Sequence, residues 1–460
     1  MILILKCLEF INEKIVGPSV PVVLIGAGLF FIVKLKAFHL LHPIKVWRPL
    51  FAKKASSANK KGIPPIRALL LALAGTLGVG NIVGVASAIS FGGAGAVFWM
   101  WVSAFAAMLL KYSEIVLAHR HRRFDASGRP HGSAMYYIKD CLASPGLKCV
   151  GCFLAALFAV LCTVDSLTMG CVIQVNAVSY ALSGVFDFPK LICGVIVAIS
   201  VAAILIKGSS AVSKVTEVLV PVMSGIYVIL SLSVMIIKSE LCAQAFASIF
   251  SEAFSFKSLG GGVLGFLMSR SVRLGTIRGV LSNEAGCGTA PIAHSESNAG
   301  SAAEQGVLGI AEVFIDTIVL CTMTALVVII SYDSVSHLSE DPVMMTINAY
   351  SAVLGGWAGA LLAISVLLFG YATIVCWAHY GVECIKYLFN KESAVYIFET
   401  VYCLFIAAGA VIAPNDIWTI SDLALGLMTL INVPVLCAMS REVKIETDGF
   451  LKRIKNGLSH

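Results

Sequence analysis

An all-α polytopic membrane protein, with two groups of five helices entering the bilayer from opposite sides, is the fold class this sequence predicts. Three observations carry that expectation. Hydrophobic residues make up 58% of the chain and charged residues 13%, with a mean hydropathy of +0.91, whereas soluble domains carry about 25% charged residues. The hydropathy resolves into eleven apolar segments of membrane-crossing length. Two of them, at corresponding places in the two halves, are interrupted by glycines and polar residues at 75–84 and 275–291.

The first segment, N, covers about 15–33; it follows a mixed-charge start and is too long for the core of a cleavable signal. Segments a (68–91) and b (95–118) share a run from Ala68 to Leu110 without a single Asp, Glu, Lys or Arg. Those 43 residues match two crossings of roughly 20 residues each. Within a, Gly75-Thr76-Leu77-Gly78-Val79-Gly80-Asn81-Ile82-Val83-Gly84 places four glycines in ten positions. Each glycine lowers helix stability by about 1 kcal/mol relative to Ala, so a break is expected there. Segments c (149–183), d (190–207) and e (213–237) complete the first group. After a mixed stretch come f (259–294, broken), g (305–331), h (356–389), i (394–413) and j (416–440). Segments c, f and h exceed a perpendicular span, which implies tilts, breaks or interfacial extensions.

Five is odd, so the second group must enter from the side opposite the first, giving repeats at 67–238 and 256–440 and a tail at 441–460. Lys and Arg set the orientation. With the loops 34–67, 119–148, 207–214, 295–305 and 386–391 and the tail inside, that side holds 24 of the 33 basic residues. The N-terminus is then outside and the C-terminus cytoplasmic; the 295–305 loop contributes nothing to the count. No basic, aromatic-interleaved patch points to nucleic acid. The fourteen cysteines are scattered singly, apart from Cys149-x-x-Cys152, which has no second pair and reads as packing at a helix start.

Amides and carbonyls exposed at membrane depth persist only where they line a cavity or hold a ligand. Paired interruptions are the sequence pointer to a transporter's binding site. A small-residue packing face, as in Gly80-x-x-x-Gly84, is the alternative for one helix alone. The second break reads Gly275-Thr276-Ile277-Arg278-Gly279-Val280-Leu281-Ser282-Asn283-Glu284-Ala285-Gly286-Cys287-Gly288-Thr289-Ala290-Pro291. The N–H groups opening its second half suit a carboxylate, and the carbonyls ending its first half suit a hard cation such as Na⁺. Two breaks on one cavity would hold a zwitterion beside an alkali ion.

With these residues the sequence resembles the alanine or glycine:cation symporters. The match runs in order along nearly the whole chain. It rests on Gly-Thr-x-Gly-x-Gly-Asn-Ile at 75–82, Phe98-Trp99-Met100-Trp101, Lys111-Tyr112-x-Glu114, Met135-Tyr136-Tyr137-Ile138 and Gln174-x-Asn176-Ala177. It continues with Arg278-Gly279 through Ser282-Asn283-Glu284-Ala285-Gly286 to His294, Asp316-Thr317, Cys321 through Leu326, and Thr373-x-x-x-Trp377. The resemblance implies a leucine-transporter-type fold of eleven transmembrane helices: a 5+5 inverted repeat, with N as the addition. It also implies Na⁺-coupled symport of alanine or glycine, either enantiomer of alanine being open, across the plasma membrane of a prokaryote. By motif, the substrate would meet Gly78, Val79, Gly80, Asn81, Gln174, Gly275, Thr373 and Trp377. Sodium would use Thr76, Asn81 and Thr373, between the first break and segment h. Na⁺ is the only small cofactor-like partner implied; no organic cofactor and no obligate protein partner are expected beyond the lipid bilayer.

Some positions depart from the family pattern: Ala94 in Gly92-Gly93-Ala94-Gly95, Lys207-Gly208, Ile431-Asn432-Val433-Pro434, and an acid at Asp165. Charged residues inside crossings are functional or paired by default. Arg270, Arg273 and Arg278 are expected to pair with Glu284, or with Glu312 and Asp316, as ion pairs that either position segment f or gate it. Lys111 and Glu114 read as an interfacial salt bridge, and Asp165 as a proton-linked group or a hydrogen-bonded core acid. His39, His42, His119 and His121 read as solvated or interfacial. His294-Ser295-Glu296 lacks the partners of a deaminase, and no G-x-S-x-G or H-E-x-x-H supports an enzyme. A proton-coupled amino-acid permease of the same fold is the alternative function.

Overall fold

The computed structural model describes residues 8–43, 47, 61–254, 270–335, 341–413 and 415–456. Helix α1 (Gly17–Lys34) follows a π turn at Asn12–Val16. The first interrupted helix consists of α2 (Pro65–Thr76), a 3₁₀ turn at Val79–Asn81 and α3 (Val83–Gly92), bent by 63° at the break. Then come α4 (Gly95–Arg120), a hairpin of β1 (Arg123–Phe124) and β2 (Pro130–His131), α5 (Ala134–Cys141), α6 (Lys148–Phe186), α7 (Lys190–Leu205), α8 (Ser209–Ile237) and α9 (Ser239–Ala253). The second interrupted helix is α10 (Arg270–Asn283) with α11 (Ala290–Ser295). It is followed by α12 (Ala302–Tyr332), α13 (Pro342–Leu354), α14 (Gly356–Phe389), α15 (Glu392–Gly409), α16 (Asn415–Ala438) and α17 (Ser440–Lys455).

Every expected segment coincides with a helix or a broken pair, although 259–269, the start of segment f, lies outside the described residues. Among the described residues eight helices are long and apolar enough to cross a membrane, nine with the bent pair α2–α3. Helix α7, at 16 residues, is shorter than a perpendicular span. Burial separates centre from rim: 83% of the apolar window of α4 is enclosed by protein, against 22% for α1 and α15. The last two therefore present most of their surface to lipid.

Both breaks have local causes. Pro65 opens α2, where its missing N–H does no harm. Beyond Thr76 the chain extends at Gly78 before the 3₁₀ turn. In the second break Glu284, Gly286 and Gly288 all take positive φ (50°, 87° and 81°), a region that suits glycine and strains Glu284. Pro291 then starts α11. Helices α6 and α12 each contain a π stretch, Thr168–Ile173 and Phe314–Cys321, and such bulges collect at functional sites.

Four amphipathic helices (α5, α9, α13 and α17) were not separable by hydropathy, because half of each surface is polar or lies at an interface. In α9, Ala245, Ile249 and Ala253 form one buried stripe. Its Glu252 carboxylate accepts the Ala94 amide at 2.7 Å. The Phe98-Trp99-Met100-Trp101 motif packs there, with Phe98 edge-on to Phe250 and Phe254. Two further expectations are corrected. Cys149 and Cys152 stand at the start of α6 but are exposed rather than packed. His39 and His119 are buried, not solvated.

Candidate functional site

The first break is held by side chains from α6 and α14. The Val79 amide donates to Gln174 Oε1 at 3.0 Å, and Gln174 Nε2 anchors itself on Met169 O at 3.1 Å in the π stretch. A Cβ on Gly78 would stand 2.9 Å from both Gln174 Oε1 and Thr373 Oγ1, so only glycine fits there. Gly80 is the opposite case: nothing lies within 4 Å of where its Cβ would be. Open space therefore begins beside Gly80, at the bend.

Thr373 Oγ1 donates to Ala74 O at 3.0 Å and lies 3.5 Å from Leu77 O, which gathers three oxygens between the end of α2 and α14. The Thr76 carbonyl accepts the Gly78 amide at 2.9 Å, and the Thr76 hydroxyl turns back to Ala72 O at 3.4 Å. The Ala74 and Leu77 contributions are main-chain atoms, which carry no side-chain signature. One turn along α14, fully buried Trp377 donates to Gly75 O at 3.3 Å and stacks on Gly170.

Asn81 faces the second break. Its Nδ2 donates to Asp316 Oδ1 at 2.6 Å and Ser282 Oγ at 3.1 Å. Asp316 Oδ2 accepts from Ser282 and Thr317 hydroxyls, each at 2.7 Å. The Asn81 carbonyl accepts Thr324 Oγ1 at 2.8 Å, while Asn81 Oδ1 is buried without a partner. The two interruptions therefore meet at one carboxylate on α12. Ser282, Thr317 and Thr324 were in the recognised motifs but had no assigned role.

Other expected roles are corrected. A Cβ on Gly275 would lie 2.2 Å from Ala96 O and 2.9 Å from Trp99 Cβ, so Gly275 serves close packing of α10 on α4, away from the substrate cluster. Arg278 does not pair with Glu284, Glu312 or Asp316; its guanidinium lies 5.4 Å over the Trp418 ring and faces Asp422. The side chains of Arg270 and Arg273 lie outside the described residues. Lys111 is fully buried and pairs with Glu312 at 3.2 Å, instead of forming an interfacial bridge to Glu114. Glu312 also meets His294 Nε2 at 3.0 Å. Where the second half of the broken helix begins, the Gly288 amide donates to Glu114 Oε1 at 3.0 Å and the Thr289 hydroxyl to Glu284 Oε2 at 2.6 Å, so two of the chain's own carboxylates sit at that end.

Near the ends of the crossings on the side expected to be cytoplasmic, Ile63 bridges Ser297, Arg67 meets Glu217 at 2.8 Å, and His379 meets Glu296 at 2.6 Å.

The whole chain, residues 1–460, matches the sodium:alanine symporter family. An uncharacterised transporter of Bacillus subtilis, YflA, is 35% identical over 443 residues, spanning 96% of this chain and 92% of the relative. The sodium/alanine symporter AgcS of Methanococcus maripaludis is 33% identical over 451 residues and 97% of each chain. A solved structure of a Na⁺-coupled sialic acid symporter, substrate-bound and outward-open, superposes with a TM-score of 0.55 at 12% identity, covering 87% of this chain and 82% of that one. At that identity the likeness is one of fold, the leucine-transporter type.

Proposed function

Because the chain belongs to the sodium:alanine symporter family, a family of multi-pass membrane transporters, we propose that it brings alanine or glycine into a prokaryotic cell together with Na⁺. The observation that carries this reading is the three-oxygen cluster of Ala74 O, Leu77 O and Thr373 Oγ1 against Gly78, two residues before the open position of Gly80 in the same unwound stretch. Hard oxygen donors of this kind suit Na⁺, by the same logic that brings unwound carbonyls to Na⁺ in other carriers. The amino acid's carboxylate takes the unwound stretch Gly78–Asn81 next to Gln174, and its small side chain points into the space at Gly80. Unpartnered Asn81 Oδ1 supplies a further acceptor for a cation or the substrate's ammonium group. Transport proceeds by alternating access, the repeats 67–238 and 256–440 rocking about this midplane site. The contacts Ile63–Ser297, Arg67–Glu217 and His379–Glu296 on the face read as cytoplasmic support a conformation that loads from the opposite side.

Uptake of radiolabelled alanine and glycine into proteoliposomes tests the reading. Accumulation should require Na⁺ and respond to membrane potential. Uptake that survives complete Na⁺ replacement at constant pH and potential refutes the coupling ion and leaves a proton-coupled permease.

A further inference from the structure

Asp165 belongs to none of the groups described so far. It is completely buried in α6, immediately before the π stretch that carries the Met169 anchor and leads into Gln174. Its Oδ1 accepts Ser421 Oγ from α16 at 2.8 Å and lies 3.4 Å from Thr168 Oγ1. Its Oδ2 has no hydrogen-bond partner among the described residues. Titratable groups that face it are Asp422 from α16, Glu284 from the α10–α11 break and Cys162 one turn earlier on α6, with Cys384 of α14 behind Cys162. None of these is a cation. Arg278 is drawn instead to Asp422 and the Trp418 ring.

An ionised carboxylate with one bare oxygen, no counter-charge and a second acid opposite has lost its water without compensation. It must therefore either bind a proton or hold a metal cation. The oxygens favour the proton. Both hydroxyls near the acid, Ser421 and Thr168, lie on Oδ1, and no described hydroxyl bonds Oδ2, which leaves the bare oxygen open to a proton. Asp422, which faces Asp165 from α16, also lines a cavity of about 220 Å³ between α1, α10 and α16, together with Asn12, Arg278 and Thr429.

We propose that Asp165 is a proton-binding site in the membrane core, separate from the Na⁺ cluster: the acid is neutral in this conformation, and loss of its proton at high pH stops turnover. The proton adds to Oδ2, and Oδ1 remains the acceptor for Ser421. Ionised, the carboxylate would repel Asp422 and push α6 and α16 apart, disturbing the packing through which they move together.

Infrared difference spectroscopy on the purified full chain reads the proton directly and does not depend on which amino acid is carried. The spectrum of wild type minus Asp165→Asn should contain the carbonyl band of a protonated carboxylic acid at pH 6 and lose it on alkaline titration. Ser421→Ala, which removes the donor that favours the ionised form, should move that titration to higher pH without abolishing the band. In proteoliposomes at saturating Na⁺, wild-type uptake should fall above the same midpoint, approaching tenfold per pH unit, whereas Asp165→Asn stays flat to within about twofold. Absence of the band, a band that never titrates, its displacement by Na⁺ at constant pH, or an Asp165→Asn variant as pH-sensitive as wild type would each overturn the proposal. Should alanine and glycine not be the substrates, the uptake arm falls silent for wild type too, and the spectroscopic arm still decides.

Discussion

Replacing Thr373 by Val separates a cation ligand from a structural hydrogen bond. The hydroxyl is 3.0 Å from Ala74 O and 3.5 Å from Leu77 O, fully enclosed between α2 and α14. If its only task is to tie the helices together, its removal costs about 0.5–1.5 kcal/mol of stability and leaves the ion dependence alone. If it is a Na⁺ ligand, the missing contact is one to a charged group, worth about 1.5–3 kcal/mol. That corresponds to a rise of roughly ten- to over a hundredfold in the Na⁺ concentration giving half-maximal uptake. The assay is alanine uptake in proteoliposomes as a function of Na⁺, at fixed potential and with total cation held constant by choline. Thr373→Ser keeps the oxygen and should stay near wild type, which controls for folding. A Thr373→Val protein that folds but shifts half-saturation by less than about threefold, under 1 kcal/mol, refutes the placement of Na⁺ in this cluster.

Gly80→Ala meets no atom within 4 Å and should fold normally, but its methyl enters the space assigned to the solute. Competition between labelled glycine and alanine should then swing toward glycine; unchanged selectivity would show that the space is not the pocket. Gly275→Ala drives a Cβ against Ala96 O at 2.2 Å, so thermal stability in detergent should fall by about 1–3 kcal/mol, with the KM for alanine in surviving protein unchanged. Lys111→Met leaves Glu312 buried with only His294 for company, and a loss of about 3–5 kcal/mol is expected. The double change Lys111→Met with Glu312→Leu should recover much of that stability, and failure to recover any would mean that the pair is not the source.

Much of the architecture was legible because two periods dominate the sequence: the length of a crossing, and the odd count of five. The breaks were legible because glycines and polar residues at membrane depth have few other uses. Thr373 and Trp377, four apart, did lie on one face of α14 as their spacing required. The amphipathic helices were hidden because a hydropathy window averages the Ala245–Ile249–Ala253 stripe with its polar flanks. The ion pairs were misread for a different reason. Membrane burial shows that Arg278 needs an acidic partner but not which one, so Glu284, Glu312 and Asp316 were all open to it. The fold instead turns Arg278 outward to Trp418 and Asp422, and gives Glu284 to Thr289. Main-chain ligands such as Ala74 O and Leu77 O leave no trace in residue identity at all.

Asp316 gives coupling a physical order. Its two oxygens take donors from both interrupted helices: Asn81 from the first, Ser282 from the second, with Thr317 beside it. Those three donors each favour the ionised form of the carboxylate, though no cationic side chain is among them. An incoming amino acid presents a second carboxylate at the Gly78–Asn81 stretch. At a separation of about 6 Å and an effective dielectric constant of about 20, the two negative charges repel by roughly 3 kcal/mol. Na⁺ held in the Ala74–Leu77–Thr373 cluster offsets part of that repulsion, so Na⁺ should precede the amino acid and raise its affinity, by up to about a hundredfold. Equilibrium binding of labelled alanine to purified protein, with and without Na⁺, measures the factor. Asp316→Asn keeps the hydrogen-bonding shape and deletes the charge, so it should bind alanine in choline nearly as well as wild type does in Na⁺. If the variant remains as dependent on Na⁺ as wild type, the ion acts by ordering the broken helix rather than by screening this carboxylate.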